Sequence, residues 1–213
     1  MEYPAHTVAH VNQKQRHGGN VRLRGLLAVA AGIAATISLA PAGAAQAADS
    51  YDGTAKFKNG TINLQEDGWG AAQTCAVHSA TVVQCYATAA EADAALGYNR
   101  ETDPLVKKAR SAGLSATAAA AATPACATGW LCLYEHENGG GRRLIFQDEY
   151  WQQLREYAFD NQMTSWRNNQ GSGDTGAIFD EKAGGFGQRT LSSSTYNSNV
   201  GSTLNDKADQ IHG

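Results

Sequence analysis

This sequence lacks the signatures of common hydrolases. It contains no H-E-x-x-H and no G-x-S-x-G, so neither a zincin helix nor a nucleophile elbow is available. It also lacks C-x-x-C: the four cysteines, Cys75, Cys85, Cys126 and Cys132, are spaced more widely, which argues against zinc. Basic residues are few, 17 Lys and Arg against 20 Asp and Glu, so there is no basic patch and nucleic acid is not an expected partner. Nor is there an apolar run long enough to span a bilayer. The longest, "GLLAVAAGIAATISLA", has 16 residues, short of the roughly 20 a spanning helix needs.

That short run has a different meaning. Lys14, Arg16, Arg22 and Arg24 precede it and the small-residue stretch "GAAQAADS" follows. A basic start, a short apolar core and an A-x-A site define a secretory signal peptide, here residues 1–48, with cleavage after Ala47 or Ala48. Removing Glu2 and those four basic residues leaves 13 basic and 19 acidic side chains, a net charge near −6. The expectation is a secreted, extracellular, mildly acidic protein with no membrane attachment after cleavage. Four cysteines in an exported chain form disulfides. Sequence proximity favours Cys75–Cys85 and Cys126–Cys132 among the three possible connectivities.

Residues 49–114 read as a small α+β unit. "TINLQ", "QTCAVHS" and "TVVQCYA" are short β-type runs. Thr88, with Glu91 three residues on, opens a helix that stops at Gly97. Asp103, Pro104 and Gly113 bracket a second. Residues 115–125, "SATAAAAATPA", read as an Ala-rich linker or a helical extension. If it is a linker, the N-terminal unit could be a pro-segment removed after export.

The remaining residues, 126–213, match themselves at an offset of 45. Tyr134-Glu135 falls on Phe179-Asp180, Gly139-Gly140 on Gly184-Gly185, Phe159-Asp160-Asn161 on Leu204-Asn205-Asp206, and Trp166 on Ile211. Each copy reads as a strand, a Gly-rich turn, a second strand, an excursion, an acidic-amide turn and a last strand. Two such units make a mainly β Greek-key sandwich. "DEYWQQLREY" (148–157) is the one stretch expected to form a helical turn. No catalytic group stands out: Glu135, His136 and Glu137 alternate across a strand, so their charges do not converge. The expectation is a non-enzyme.

Tyr134, Gly141 seven residues later, and "DNQMTS" resemble the βγ-crystallin Greek key, with its Gly hairpin and its N/D-N/D-x-x-S/T-S calcium motif. "CATGWLCLYEHENGGGRRLIF" followed by "DNQMTSWRN" resembles more closely the secreted bacterial metalloproteinase-inhibitor family of that fold. The resemblance implies calcium held by Asp160, Asn161, Gln162 and Thr164 of one motif and Asn205, Asp206, Lys207 and Asp209 of the other, with ligands exchanged between units. Gln162 and Lys207 would give only carbonyls, and Ser165 would brace the turn. Thr164 keeps the family's hydroxyl whereas Asp209 replaces it, so one site fits better than the other.

The resemblance also implies a monomeric inhibitor of an extracellular metalloproteinase. No cysteine follows Cys132, so the disulfide that clamps the reactive segment in the family is missing. Candidate protease contacts are Trp130, inside the Cys126–Cys132 loop, and Phe186, in "KAGGFGQ". Phe186 stands where the second hairpin's glycine belongs, which calls for a modified hairpin or an insertion. The rival is a calcium-binding module that attaches to a cell surface or another protein, with Tyr150, Trp151 and Tyr157 as its contact patch.

Overall fold

The computed structural model describes residues 51–213; the segment read as a signal peptide lies outside the described residues. Starting from the C-terminal part, β5 (Leu131–Tyr134) and β6 (Arg143–Phe146) form a hairpin, β7 (Trp151–Gln153) follows, and β8 (Ser165–Asn168) ends the first unit. The second unit repeats the order with β9 (Gly176–Asp180), β10 (Gly187–Leu191), β11 (Thr195–Asn197) and β12 (Gln210–His212). One sheet runs β11-β8-β5-β6, the other β10-β9-β12-β7. Each unit therefore keeps three strands together and sends its third to the other unit's sheet. This is a Greek-key sandwich with a pseudo-twofold axis.

The two hairpins are equal in length. Glu135 N donates to Arg142 O at 3.0 Å, and Asp180 pairs with Gly187, 45 residues along at both ends. Phe186 is thus accommodated without an insertion. Positive φ falls at Gly139 and Gly141 in the first hairpin and at Gly184 and Gly187 in the second, so glycine has moved by one position to where the backbone needs it.

The first sheet does not end at β6. β3 (Thr74–Ser79) pairs with β6 in parallel, from Thr74 opposite Arg143 to Val77 opposite Phe146. β4 (Val82–Tyr86), β1 (Thr54–Phe57) and β2 (Gly60–Asn63) then extend it to eight strands. Helix α1 (Leu64–Asp67) follows β2, and the Asn63 side chain caps it by accepting from Gln65 N and Glu66 N. Cys75 and Cys85 are directly opposite across β3 and β4 and are bonded. Cys126 and Cys132 form the other disulfide.

Strands β5 and β6 are buried at every position, because both faces of their sheet are covered. Leu131, Leu133, Leu144 and Phe146 point into the sandwich, against Ile178, Leu191 and Ile211 of the second sheet. The alternate residues Cys132, Tyr134 and Ile145 face the other way, with Ala76 and Trp130. Over that second face lie α2 (Ala89–Ala95), α3 (Pro104–Ser111) and α4 (Ala116–Ala122).

The caps read from sequence are present: Thr88 Oγ1 accepts from Glu91 N at 3.1 Å, and Asp103 Oδ1 from Leu105 N at 2.9 Å. Helix α4 occupies the Ala-rich stretch, so the helical alternative holds there. Ser115 caps it and Ala119 is fully buried. Residues 51–125 are therefore packed on the sandwich through a shared sheet and a helical cover. Composition shifts near residue 120, but the hydrogen bonding runs on.

Polar contacts fix the cover. Arg167 of β8 and Asp103 are both wholly buried, paired at 2.6 and 2.8 Å. Arg167 also donates to Pro124 O at 2.7 Å. Arg143 of β6 reaches Asp93 of α2 at 2.7 Å and Ala125 O at 2.7 Å. The Tyr134 hydroxyl donates to Ala125 O at 2.6 Å. The 148–157 stretch forms its expected helical turn only at Leu154–Tyr157, after strand β7, which β12 holds, and it is not alone: Gly201–Leu204 is also helical.

Candidate functional site

The two acidic turns are related by the pseudo-twofold, and their backbones are tied across it. Asn161 N donates to Ala208 O at 2.9 Å, and Asp206 N to Met163 O at 3.1 Å. Thr164 N donates to Tyr134 O at 2.9 Å, and Asp209 N to Phe179 O at 2.9 Å. Every residue in one member of each pair is 45 from its counterpart. Asn161 and Asp206 both have φ of 54°, a left-handed conformation that Asn and Asp tolerate better than other side chains. Hence both copies of the motif carry Asx residues at this point.

Around the first cavity, of about 400 Å³, stand Thr164, Asn205, Glu137, Asn199 and Ser202. Glu137 accepts from Asn199 Nδ2 at 2.5 Å. Ser165 braces the adjoining hairpin, donating to His136 O at 2.6 Å and accepting from Gly139 N at 3.1 Å. The side chains offer a carboxylate, two amide oxygens and two hydroxyls, a donor set suited to a hard cation.

The second turn is different. Asn161 Nδ2 bridges Asp160 Oδ2 at 2.7 Å and Asp209 Oδ1 at 2.9 Å, and Asp209 Oδ2 accepts from Glu181 N at 2.6 Å. Lys182 Nζ lies 3.3 Å from Asn161 Oδ1. At an offset of 45, Lys182 occupies the place of Glu137. An ammonium stands where the first site has a carboxylate, which opposes a cation. Burial raises the Asp160 carboxyl above its ordinary value, with Asp209 adding to the rise and the Asn161 amide opposing it.

The candidate residues are thus divided. Asp160, Asn161 and Asp209 meet at one turn; Thr164 and Asn205 face the other cavity. The Gln162 side chain turns away to the Arg142 guanidinium, and Lys207 Nζ donates to Thr203 O at 3.1 Å. Among the described residues, no group of three or more His, Cys, Asp or Glu is placed to hold a metal. Glu137 and Lys182, absent from the motif reading, come from the hairpin loops; extending the repeat by two residues past Glu135 and Asp180 would have paired them.

Trp130 is not a surface anchor. It is 7% exposed and meets the His78 ring edge-on at 5.2 Å. Phe186 is half-buried, with the Arg189 guanidinium 5.5 Å from its ring centre. It lines a cavity of about 400 Å³ with Lys182, Arg189 and Lys207. The hairpin tip is tightly built: Asp180 Oδ1 accepts from Lys182 N at 2.9 Å, and a Cβ on Gly185 would come within 2.5 Å of the Asp180 carboxyl. Tyr150 and Trp151 are exposed, whereas Tyr157 is buried and its hydroxyl donates to Gln152 Oε1 at 2.5 Å.

Residues 119–183 match the family model of peptidase inhibitor family I36. Among curated proteins, none matches the sequence. Solved structures similar to it include a βγ-crystallin from Ciona intestinalis, at 18% identity over 39% of this chain and 98% of that one, with a TM-score of 0.32. A βγ-crystallin domain from Clostridium beijerinckii is 24% identical over 38% of this chain and 93% of its own, with a TM-score of 0.32. One from Flavobacterium johnsoniae is 20% identical over 38% and 90%, also with a TM-score of 0.32.

Proposed function

We propose that this chain is a secreted protein inhibitor of metalloproteinases. The peptidase inhibitor family I36 match over residues 119–183 carries the proposal. An inhibitor must offer a segment that loses little entropy on docking. The β9–β10 hairpin tip meets that need: it is held by Asp180 and carries Phe186, half-buried, packed on one side against the core and beside Arg189. It takes the place, as the rigid element, of the family's reactive-segment disulfide, for which this chain has no cysteine after Cys132. Phe186 is the apolar anchor for the protease cleft, and Trp130 is a core residue.

Calcium has a supporting role in this proposal. Thr164, Asn205 and Glu137 would hold the ion, with the other cavity residues completing the donor set. Bound there, a divalent cation would neutralise the Glu137 carboxylate and tie the first hairpin to the second acidic turn. The Asp160–Asn161–Asp209 turn serves as a hydrogen-bonded brace, since Lys182 already supplies a positive charge.

The test is an inhibition titration of the secreted chain against a thermolysin-type metalloproteinase, with a serine protease as control and calcium in excess. Stoichiometric loss of metalloproteinase activity alone is expected. Phe186→Ala should weaken inhibition by about tenfold or more, as for a buried interface anchor. No inhibition at high micromolar concentration would overturn the proposal and leave a binding module. Calcium is checked separately by thermal unfolding: the ion should raise Tm, and Thr164→Ala should reduce that rise.

A further inference from the structure

The second sheet has one face turned away from the core, and its cross-strand register fixes what it displays. Thr190, Ala177, His212 and Trp151 form one row across four strands. Gln188, Phe179, Gln210 and Gln153 form the next. Neither row contains Lys, Arg, Asp or Glu, although the chain is acidic overall. Trp151 is 41% exposed, and its two ring neighbours meet it edge to face, His212 at 5.6 Å and Phe179 at 6.4 Å. Beside it lies a depression of about 220 Å³ lined by Thr175, Thr190, Gln188 and His212.

We propose that this face is a glycan-binding surface, taking an uncharged β-linked pyranose chain with one ring stacked on Trp151. A sugar ring has an apolar face of C–H groups and a rim of hydroxyls. The indole matches the first. The second needs groups that both donate and accept, which amides and hydroxyls supply. One amide is pre-set: Gln210 Nε2 donates to Glu181 Oε1 at 2.5 Å.

A nucleic acid would need several free cations, whereas the neighbouring Arg155 is paired with Glu181 at 3.5 Å. A membrane surface would need a basic or broadly apolar face. A face with one exposed ring, several amides and hydroxyls, and its nearest charges paired at the edge as Arg155–Glu181 suits an extended polyol.

The test uses the secreted full chain in depletion assays on microcrystalline cellulose and on chitin, followed by tryptophan fluorescence with the corresponding soluble hexasaccharides. These arms separate plain from N-acetylated chains. Retention on at least one polymer is expected. Trp151→Ala should weaken it at least about tenfold, in line with loss of a stacking contact. Metalloproteinase inhibition should be unchanged in that variant, so failure here and failure of the inhibitor proposal are separable. Trp151→Tyr, which keeps a ring, should recover much of the binding.

No retention on either polymer would overturn the proposal, as would equal retention of Trp151→Ala. So would a concentration-dependent dimer that Trp151→Ala abolishes without any polymer binding, since the face would then serve self-association.

Discussion

Replacing Asp103 with alanine tests how the N-terminal residues are joined to the sandwich. Besides accepting from the Tyr98 hydroxyl at 2.5 Å, the carboxylate has two tasks. Its Oδ2 and Oδ1 accept from Arg167 at 2.6 and 2.8 Å, with both side chains fully buried. Its Oδ1 also caps α3. Truncation leaves the Arg167 guanidinium buried with Pro124 O as its main remaining partner. Breaking a buried pair in this way costs about 3–5 kcal/mol, and loss of an N-cap about 1 kcal/mol. Because Oδ1 serves both tasks, the costs overlap, and about 4 kcal/mol is the expected total. At this chain length that lowers Tm by about 8–16 °C.

The double variant Asp103→Leu/Arg167→Met should recover most of the loss, because it removes both charges together. The acid limb supplies a second readout. Burial alone would raise the Asp103 carboxyl, but hydrogen bonds from Arg167 and Tyr98 outweigh it and hold the group below its ordinary value. The contribution is therefore full above the unfolded value near pH 4 and is lost as pH falls through the folded value. Thermal and urea unfolding across pH would measure both effects. A cost below about 1 kcal/mol for Asp103→Ala, or a double variant no better than the singles, would refute the reasoning.

Two further outcomes follow from the geometry. Asp160 is raised by burial and by Asp209, so its effect has the opposite sign: the ionised carboxyl destabilises the fold as pH rises above the unfolded value. In metal-free buffer, Asp160→Asn should be more stable than the parent at pH 7 and equal to it below about pH 4; unequal behaviour at low pH would count against this account. Residues 126–213 expressed alone should unfold at lower temperature than 51–213 and should associate, because the outer face of β5, β6 and β8 loses its cover. Calorimetry and size-exclusion chromatography would show it, and an unchanged Tm would refute an integral role for the N-terminal half.

Local chemistry made much of this fold legible. Thr88 and Asp103 mark helices through caps that need only a few residues, and the 45-residue repeat is visible because each unit needs the same glycines, aromatics and Asx residues. Non-local pairing was not legible. Strand β7 lies within "DEYWQQLREY", where β12 decides the conformation and the local pattern does not. The parallel β3–β6 ladder joins segments some 70 residues apart and leaves no periodic trace in either. The burial of Arg143 and Arg167 depends on Asp93 and Asp103, which lie 50 and 64 residues away along the chain. At the acidic turns the motif gave the Asx positions, but the charge difference between the two cavities lies in Glu137 and Lys182, outside it.

The exchange of third strands has a consequence for chain continuity. Neither half closes its own sheet: β7 needs β12, and β11 needs β8. The covalent link between the halves, residues 169–175, spans only the short passage from β8 to β9. A chain severed there would give two pieces, each carrying the strand the other requires. Their reassociation would be a binding reaction with its own affinity and concentration dependence. The sandwich is thus an internal heterodimer, and its linker sets an effective concentration.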